Sequence, residues 1–139
     1  MEDRYLFKAK RIDNGEWVQG ALFNGESHCI IGKEIKFSPY TEHECKIVGY
    51  KVDRDTICQC TGLKDKNGKL IWENDILVGY LDDMYPENAT YAQVILDKNG
   101  FYTKEKDSDD ISLMDEFDEK YFEVCGNIFD NPEFLESEG

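Results

Sequence analysis

Two histidines and five cysteines are the side chains in this 139-residue sequence best suited to metal or nucleophile chemistry. His28-Cys29, His43-x-Cys45 and Cys58-x-Cys60 offer imidazole and thiolate, the ligand set that zinc prefers. Their spacing is not that of a familiar zinc site, because no Cys-x-x-Cys pair occurs. On a strand Cys58 and Cys60 share one face, which permits a common ion without requiring one, and small buried thiols are the commoner use of cysteine. A cysteine nucleophile fares no better. Neighbours such as His28 and Cys29 point to opposite faces of a strand and cannot share a proton, while His43 and Cys45 come with no oxyanion-hole motif. The expectation is therefore no catalytic residue, no metal and no cofactor.

Carboxylates are far more numerous: 30 Asp and Glu stand against 16 Lys and Arg, a formal charge of −14. Residues 1–62 carry −1 of this and residues 63–139 carry −13. A field of that sign repels phosphate backbones and anionic lipid, which argues against direct nucleic-acid or membrane-surface binding. Residues 105–119 hold eight acidic side chains and one Lys. Asp107-x-Asp109-Asp110 lacks the Gly and the later Glu of a calcium-binding EF-hand loop. No glycine-rich phosphate loop is present, and Lys64, Lys66 and Lys69 read as the charged flanks of a hairpin. Runs of like charge are usually solvated faces. The sharper reading is an acidic docking surface for a basic partner, built from Asp107, Asp109, Asp110, Asp115, Glu116, Asp118 and Glu119. Leu113, Met114 and Phe117 interrupt the run at helical spacing and predict a short helix that turns all three inward.

The elements that must position these groups are mostly strands. Residues 4–12 alternate in polarity, Asp13-Asn14-Gly15 supplies a turn, and residues 17–23 return. Asn24-Gly25 is a second turn. Cys29–Phe37 and Cys45–Val52 follow as β-rich runs, separated by Ser38-Pro39-Tyr40, and residues 55–61 make a short strand candidate. Asp65-Lys66-Asn67-Gly68 predicts a hairpin closed by residues 69–72. Residues 75–81, 90–96 and 101–104 are strands, with a loop at 85–88 and a second Asp-Lys-Asn-Gly turn at 97–100. Residues 121–129 form a last strand with a bulge at Gly126, after which Asn131 caps a short turn begun by Pro132. The longest apolar stretch, Ile76-Leu77-Val78, is too short to cross a membrane or drive secretion, so a cytoplasmic chain is expected. The reading is a mainly β protein with a β-rich portion over 1–60 and a small barrel or roll over 61–139, the two possibly forming one compact unit.

The segment Thr61-Gly62-Leu63-Lys64-Asp65-Lys66-Asn67-Gly68-Lys69-Leu70-Ile71-Trp72-Glu73-Asn74-Asp75-Ile76 resembles the signature of the YopX family of phage and prophage proteins, approximately T-G-L-x-D-x-N-G-x-x-I-[YFW]-E-x-D-I. The closing Gly126-Asn127-Ile128-Phe129-Asp130-Asn131-Pro132-Glu133 is similar to the family's ending, and Trp17-Val18-Gln19-Gly20 to its N-terminal hairpin. At Ile57-Cys58-Gln59-Cys60 the chain departs from the pattern, with thiols where relatives carry a Gly and a larger apolar residue. The resemblance implies an SH3-like barrel in the second half and a phage context. It transfers no active site.

The function expected is that of a small acidic, non-enzymatic binding or adaptor protein with a protein partner, anchored by exposed parts of Tyr85, Tyr91, Phe101 or Tyr102. Two alternatives stand beside it: a nucleic-acid mimic whose carboxylates occupy a basic site on a host protein, and a barrel that binds nucleic acid directly. Homo-oligomerisation is left open.

Overall fold

A computed structural model describes residues 5–25, 28–37, 45–80 and 89–136, with the backbone alone for 33–37 and 45–48. The separating Ser38-Pro39-Tyr40, the loop expected at 85–88, His43, Tyr85 and the side chain of Cys45 lie outside what is described. The chain divides into two compact units, Met1–Gln59 and Cys60–Gly139.

The first unit is an antiparallel meander of β1 (Phe7–Lys10), β2 (Trp17–Asn24), β3 (Cys29–Phe37) and β4 (Cys45–Val52), with the first residues of β5 (Cys58–Lys64) beside β1. Ala9 faces Val18 in the register, and Ala9, Cys29, Ile31 and Val52 form the core, with Phe7, Val18, Leu22 and Ile57 packed on it. The turn after β1 is tied by the Arg11 guanidinium, which donates to both oxygens of Asp13 at 2.9 and 2.6 Å. Residues 55–61 are not one strand: a 3-10 turn occupies Arg54–Thr56 because Asp53 accepts the Asp55 N–H on its carboxylate, and β5 begins only at Cys58.

In the second unit the remainder of β5 pairs with β6 (Leu70–Trp72). A five-stranded antiparallel sheet follows, composed of β7 (Asp75–Tyr80), β8 (Ala89–Asp97), β9 (Gly100–Glu105), β10 (Ile111–Leu113) and β11 (Phe122–Asn127) in the order β10-β9-β8-β7-β11. A six-residue helix, α1 (Glu116–Tyr121), joins β10 to β11, and a 3-10 turn spans Pro132–Leu135. The buried cluster is Ile71, Leu77, Val94, Met114 and Phe122, with Leu63, Phe101 and Val124 against it. The protein is mainly β, as its alternating pattern predicts, but among the described residues the sheet does not close into a barrel. β10 has only three residues, and the chain leaves it through Met114 into a helix instead of a further strand, so β10 and β11 remain the two edges. No helix is long and apolar enough to cross a membrane among the described residues.

The distinctive central segment is a construction element. The Thr61 hydroxyl donates to the Ile71 carbonyl (2.8 Å) and accepts the Leu63 N–H (3.0 Å). Asp65 is buried, and its carboxylate accepts three backbone N–H groups, from Asn67, Lys69 and Val124, each at 2.9 Å. One side chain thus shapes the Asp-Lys-Asn-Gly turn and fastens it to β11. Gly68, at φ 84°, supplies the left-handed position that such a turn requires. Asp75, also buried, accepts the Trp72 N–H at 2.8 Å and closes the turn between β6 and β7.

Gly126 does mark a bulge, where the register with β7 shifts between Val124 and Gly126. A Cβ there would lie 2.4 Å from Asn131 Oδ1, so the position is kept to glycine by close approach. Asn131 does not cap the terminal turn through its side chain. Its Oδ1 reaches back to accept the Asn127 N–H at 3.3 Å.

Candidate partner-docking site

Each described thiol donates to an oxygen: Cys29 Sγ to Asn24 Oδ1 (3.1 Å), Cys58 to the Thr56 carbonyl (3.3 Å), Cys60 to the Ile71 carbonyl (3.9 Å) and Cys125 to the Ile76 carbonyl (3.4 Å). Burial pushes the Cys125 thiol up to about 11, away from the thiolate form that attacks or ligates. Among the described residues, no three His, Cys, Asp or Glu side chains are placed to hold a metal ion.

The acidic segment is resolved into parts with different tasks. Asp107, Asp109, Asp110, Asp115 and Glu116 are exposed. Asp118 is buried at 6% exposure, and Glu119 is half-buried, accepting the Lys64 N–H at 3.1 Å. Asp115 and Asp118 form a reciprocal capping box: Asp115 Oδ1 accepts the Phe117 N–H at 2.9 Å, and Asp118 Oδ2 accepts the Asp115 N–H at 2.9 Å. Burial, and secondarily the charge of Asp115, raises the Asp118 carboxyl above the ordinary carboxylate range, against the pull of the Asp115 N–H.

The expected inward helix is corrected here. α1 starts at Glu116, so Leu113 belongs to β10 and Phe117 is its second residue. Only Met114 turns inward, while Leu113 and Phe117 are 61% and 53% exposed. Ile111 at 44% and Tyr121 at 47% add to the apolar surface, and the Phe117 and Tyr121 rings pair one helical turn apart at 4.4 Å. This is more exposed apolar side chain than solubility calls for. Of the aromatic anchors expected from the sequence, Phe101 packs on the core and Tyr91 stacks on Phe134 at 5.7 Å, so neither projects freely. Phe117 and Tyr121 are the exposed aromatics that sequence reasoning missed, because a three-residue strand beside a short helix carries too little periodicity to show which side faces out.

β10 pairs with β9 so that Ser112 faces Thr103. Met114 donates its N–H to the Phe101 carbonyl at 3.0 Å. By alternation the N–H and C=O groups of Ile111 and Leu113 point away from β9, toward the open edge. On the Ser112 side lies a pocket of about 300 Å³ in which Thr103, Ser112 and Glu105 meet Leu113, Phe117 and Tyr121. A strand laid along β10 would therefore send alternate side chains toward this pocket and toward the face of Ile111 and Leu113. What the arrangement offers chemically is backbone pairing, apolar contact and negative charge along one edge.

No curated protein sequence matches the chain. Among solved structures it is similar to protein EF1440 from Enterococcus faecalis, at a TM-score of 0.67 and 29% identity over 94% of this chain and 96% of that one. Residues 6–136 match the family described as YopX protein, nearly the whole of the sequence and all the elements above from β1 to the terminal turn. The chain belongs to the YopX family.

Proposed function

We infer that this protein is a phage- or prophage-encoded binding protein that works without catalysis in the bacterial cytoplasm, taking an extended basic segment of a partner protein along β10. Family membership supports the phage setting. The observation that carries the docking reading is the edge of β10 itself, which no strand among the described residues pairs, with Ile111 and Leu113 exposed and Asp109, Asp110, Asp115 and Glu116 beside them in sequence. Folded proteins generally cover or blunt such an edge, and a peptide adding a strand to it gains main-chain hydrogen bonds as well as side-chain contacts. Charge complementarity selects a basic occupant: the half of the chain from residue 63 onward carries −13. Phosphate mimicry fits less well, since Asp118 is buried and Glu119 half-buried, so neither stands on an open face as a phosphate does.

The test is a synthetic peptide of alternating Arg and Val, compared with its Glu and Val counterpart by calorimetry against the full chain. The basic peptide is expected to bind, to weaken steeply with added salt, and to lose at least about tenfold on Ile111→Pro. That substitution removes an N–H pointing to the open edge and leaves the bonds to β9 in place, so the thermal melt is expected to hold. Equal binding of the acidic peptide, or unchanged affinity in the proline variant, overturns the reading.

A further inference from the structure

We propose that the pocket beside β10 is a receptor for a single organic cation, a guanidinium or ammonium group, held between the carboxylates of Glu105, Asp115 and Asp118 and the rings of Tyr80, Phe117 and Tyr121. This names the chemistry of the docking site and rests on that reading in one respect: in the cell the cation arrives as a side chain of the added strand.

Three observations meet here. The pocket, of about 300 Å³, is at the small end of those that enclose a ligand, the right scale for a side chain. Asp118 is buried at 6% exposure and lines this pocket. Its Oδ2 accepts the Asp115 N–H, which fixes the carboxylate in the pocket wall, where a donor-rich cation would meet a negative group largely withdrawn from water. The aromatic rings are suited to the same charge, because their faces attract cations. Tyr80 already does so within the chain, with Lys66 Nζ 5.8 Å from its ring. An anion would meet three carboxylates, and a neutral apolar group would leave their charge uncompensated. A metal ion is the poorer fit, since no cluster of three ligands converges among the described residues. Burial first, and then the charge of Asp115, raises the Asp118 carboxyl from its ordinary value, so acidification opposes cation binding there. Glu105, Asp115, Tyr80 and Tyr121 are the other titratable groups around the pocket, with Lys66 over Tyr80.

The experiment titrates N-acetyl-arginine amide into the full chain and follows backbone amide shifts by NMR, with the neutral citrulline amide as its isostere. The expected result is saturable shifts confined to Thr103, Ser112, Phe117 and Tyr121, with citrulline at least about tenfold weaker. Arginine affinity is expected to rise with pH through the Asp118 titration in the wild type and to stay level in Asp118→Asn, whose amide oxygen can still accept the Asp115 N–H. Glu105→Gln, at an exposed position, is expected to weaken arginine severalfold without touching the helix cap, and keeps the test decisive where Asp118→Asn fails to fold. Equal binding of citrulline, shifts elsewhere, or no saturation overturns the pocket. If the Arg and Val peptide binds and is lost on Ile111→Pro while arginine amide fails, the docking edge stands and the cation pocket falls; the reverse pattern keeps the pocket and removes strand addition.

Discussion

Asp65 shows how much of this fold one carboxylate organises. It accepts N–H groups from its own turn and from Val124, which lies 59 positions away in the sequence. Hydrogen bonds to a charged acceptor are worth more than neutral ones, and removing the acceptor leaves buried donors without partners. Asp65→Ala is expected to cost about 2–4 kcal/mol in urea-induced unfolding. Cys125 gives a second residue-level prediction. Its native thiol holds its proton up to about 11, whereas the ordinary value is 9.0. Between those values the native state binds more protons than the unfolded chain, so stability falls as pH rises through that window. Cys125→Ser is expected to flatten this part of a stability-against-pH curve, and alkylation of Cys125 by iodoacetamide, read by mass spectrometry, is expected to lag the reagent's rate with a free thiol at neutral pH.

At the scale of elements, the end of β11 and the terminal 3-10 turn are interlocked. Gly126 is open because Asn131 Oδ1 occupies the space a Cβ would need, and that oxygen receives the Asn127 N–H. Gly126→Ala is expected to destabilise by about 1–3 kcal/mol through overpacking, and Asn131→Ala to relieve part of that cost. A double-mutant cycle in denaturant measures the coupling, and additive effects would show that the two positions are independent. The similarity of this segment to the family's G-N-I-[YF]-[ED]-N-P ending acquires a physical meaning here: the glycine and the second asparagine are two halves of one contact. The short α1 follows the same logic. Its reciprocal cap satisfies the first turn, but six residues cannot bury a full apolar face, which leaves Phe117 and Tyr121 facing outward.

For the molecule as a whole, charge is partitioned along the chain, −1 in residues 1–62 and −13 in residues 63–139. In the first unit the cations are engaged locally: Lys8 and Lys10 lie over the Trp17 ring at 4.9 and 5.5 Å, and Arg11 lies over Tyr50 at 4.4 Å while pairing with Asp13. In the second unit most of the excess stays uncompensated. A basic partner segment is accelerated toward such a field and an anionic one is turned away, whatever contacts follow.

The strand runs of residues 17–23, 29–37 and 45–52, the two Asp-Lys-Asn-Gly turns, the bulge at Gly126 and the acidic excess were legible without coordinates. Each rests on local chemistry: side-chain alternation, the left-handed preference of glycine, and simple counting. The open sheet in place of a barrel, the outward turn of Leu113 and Phe117, the three partners of Asp65 and the burial of Asp118 were decided by the tertiary structure alone. Those outcomes depend on which distant backbone groups reach a side chain and on how much apolar surface neighbouring strands leave over, and neither quantity is written in any local stretch of residues.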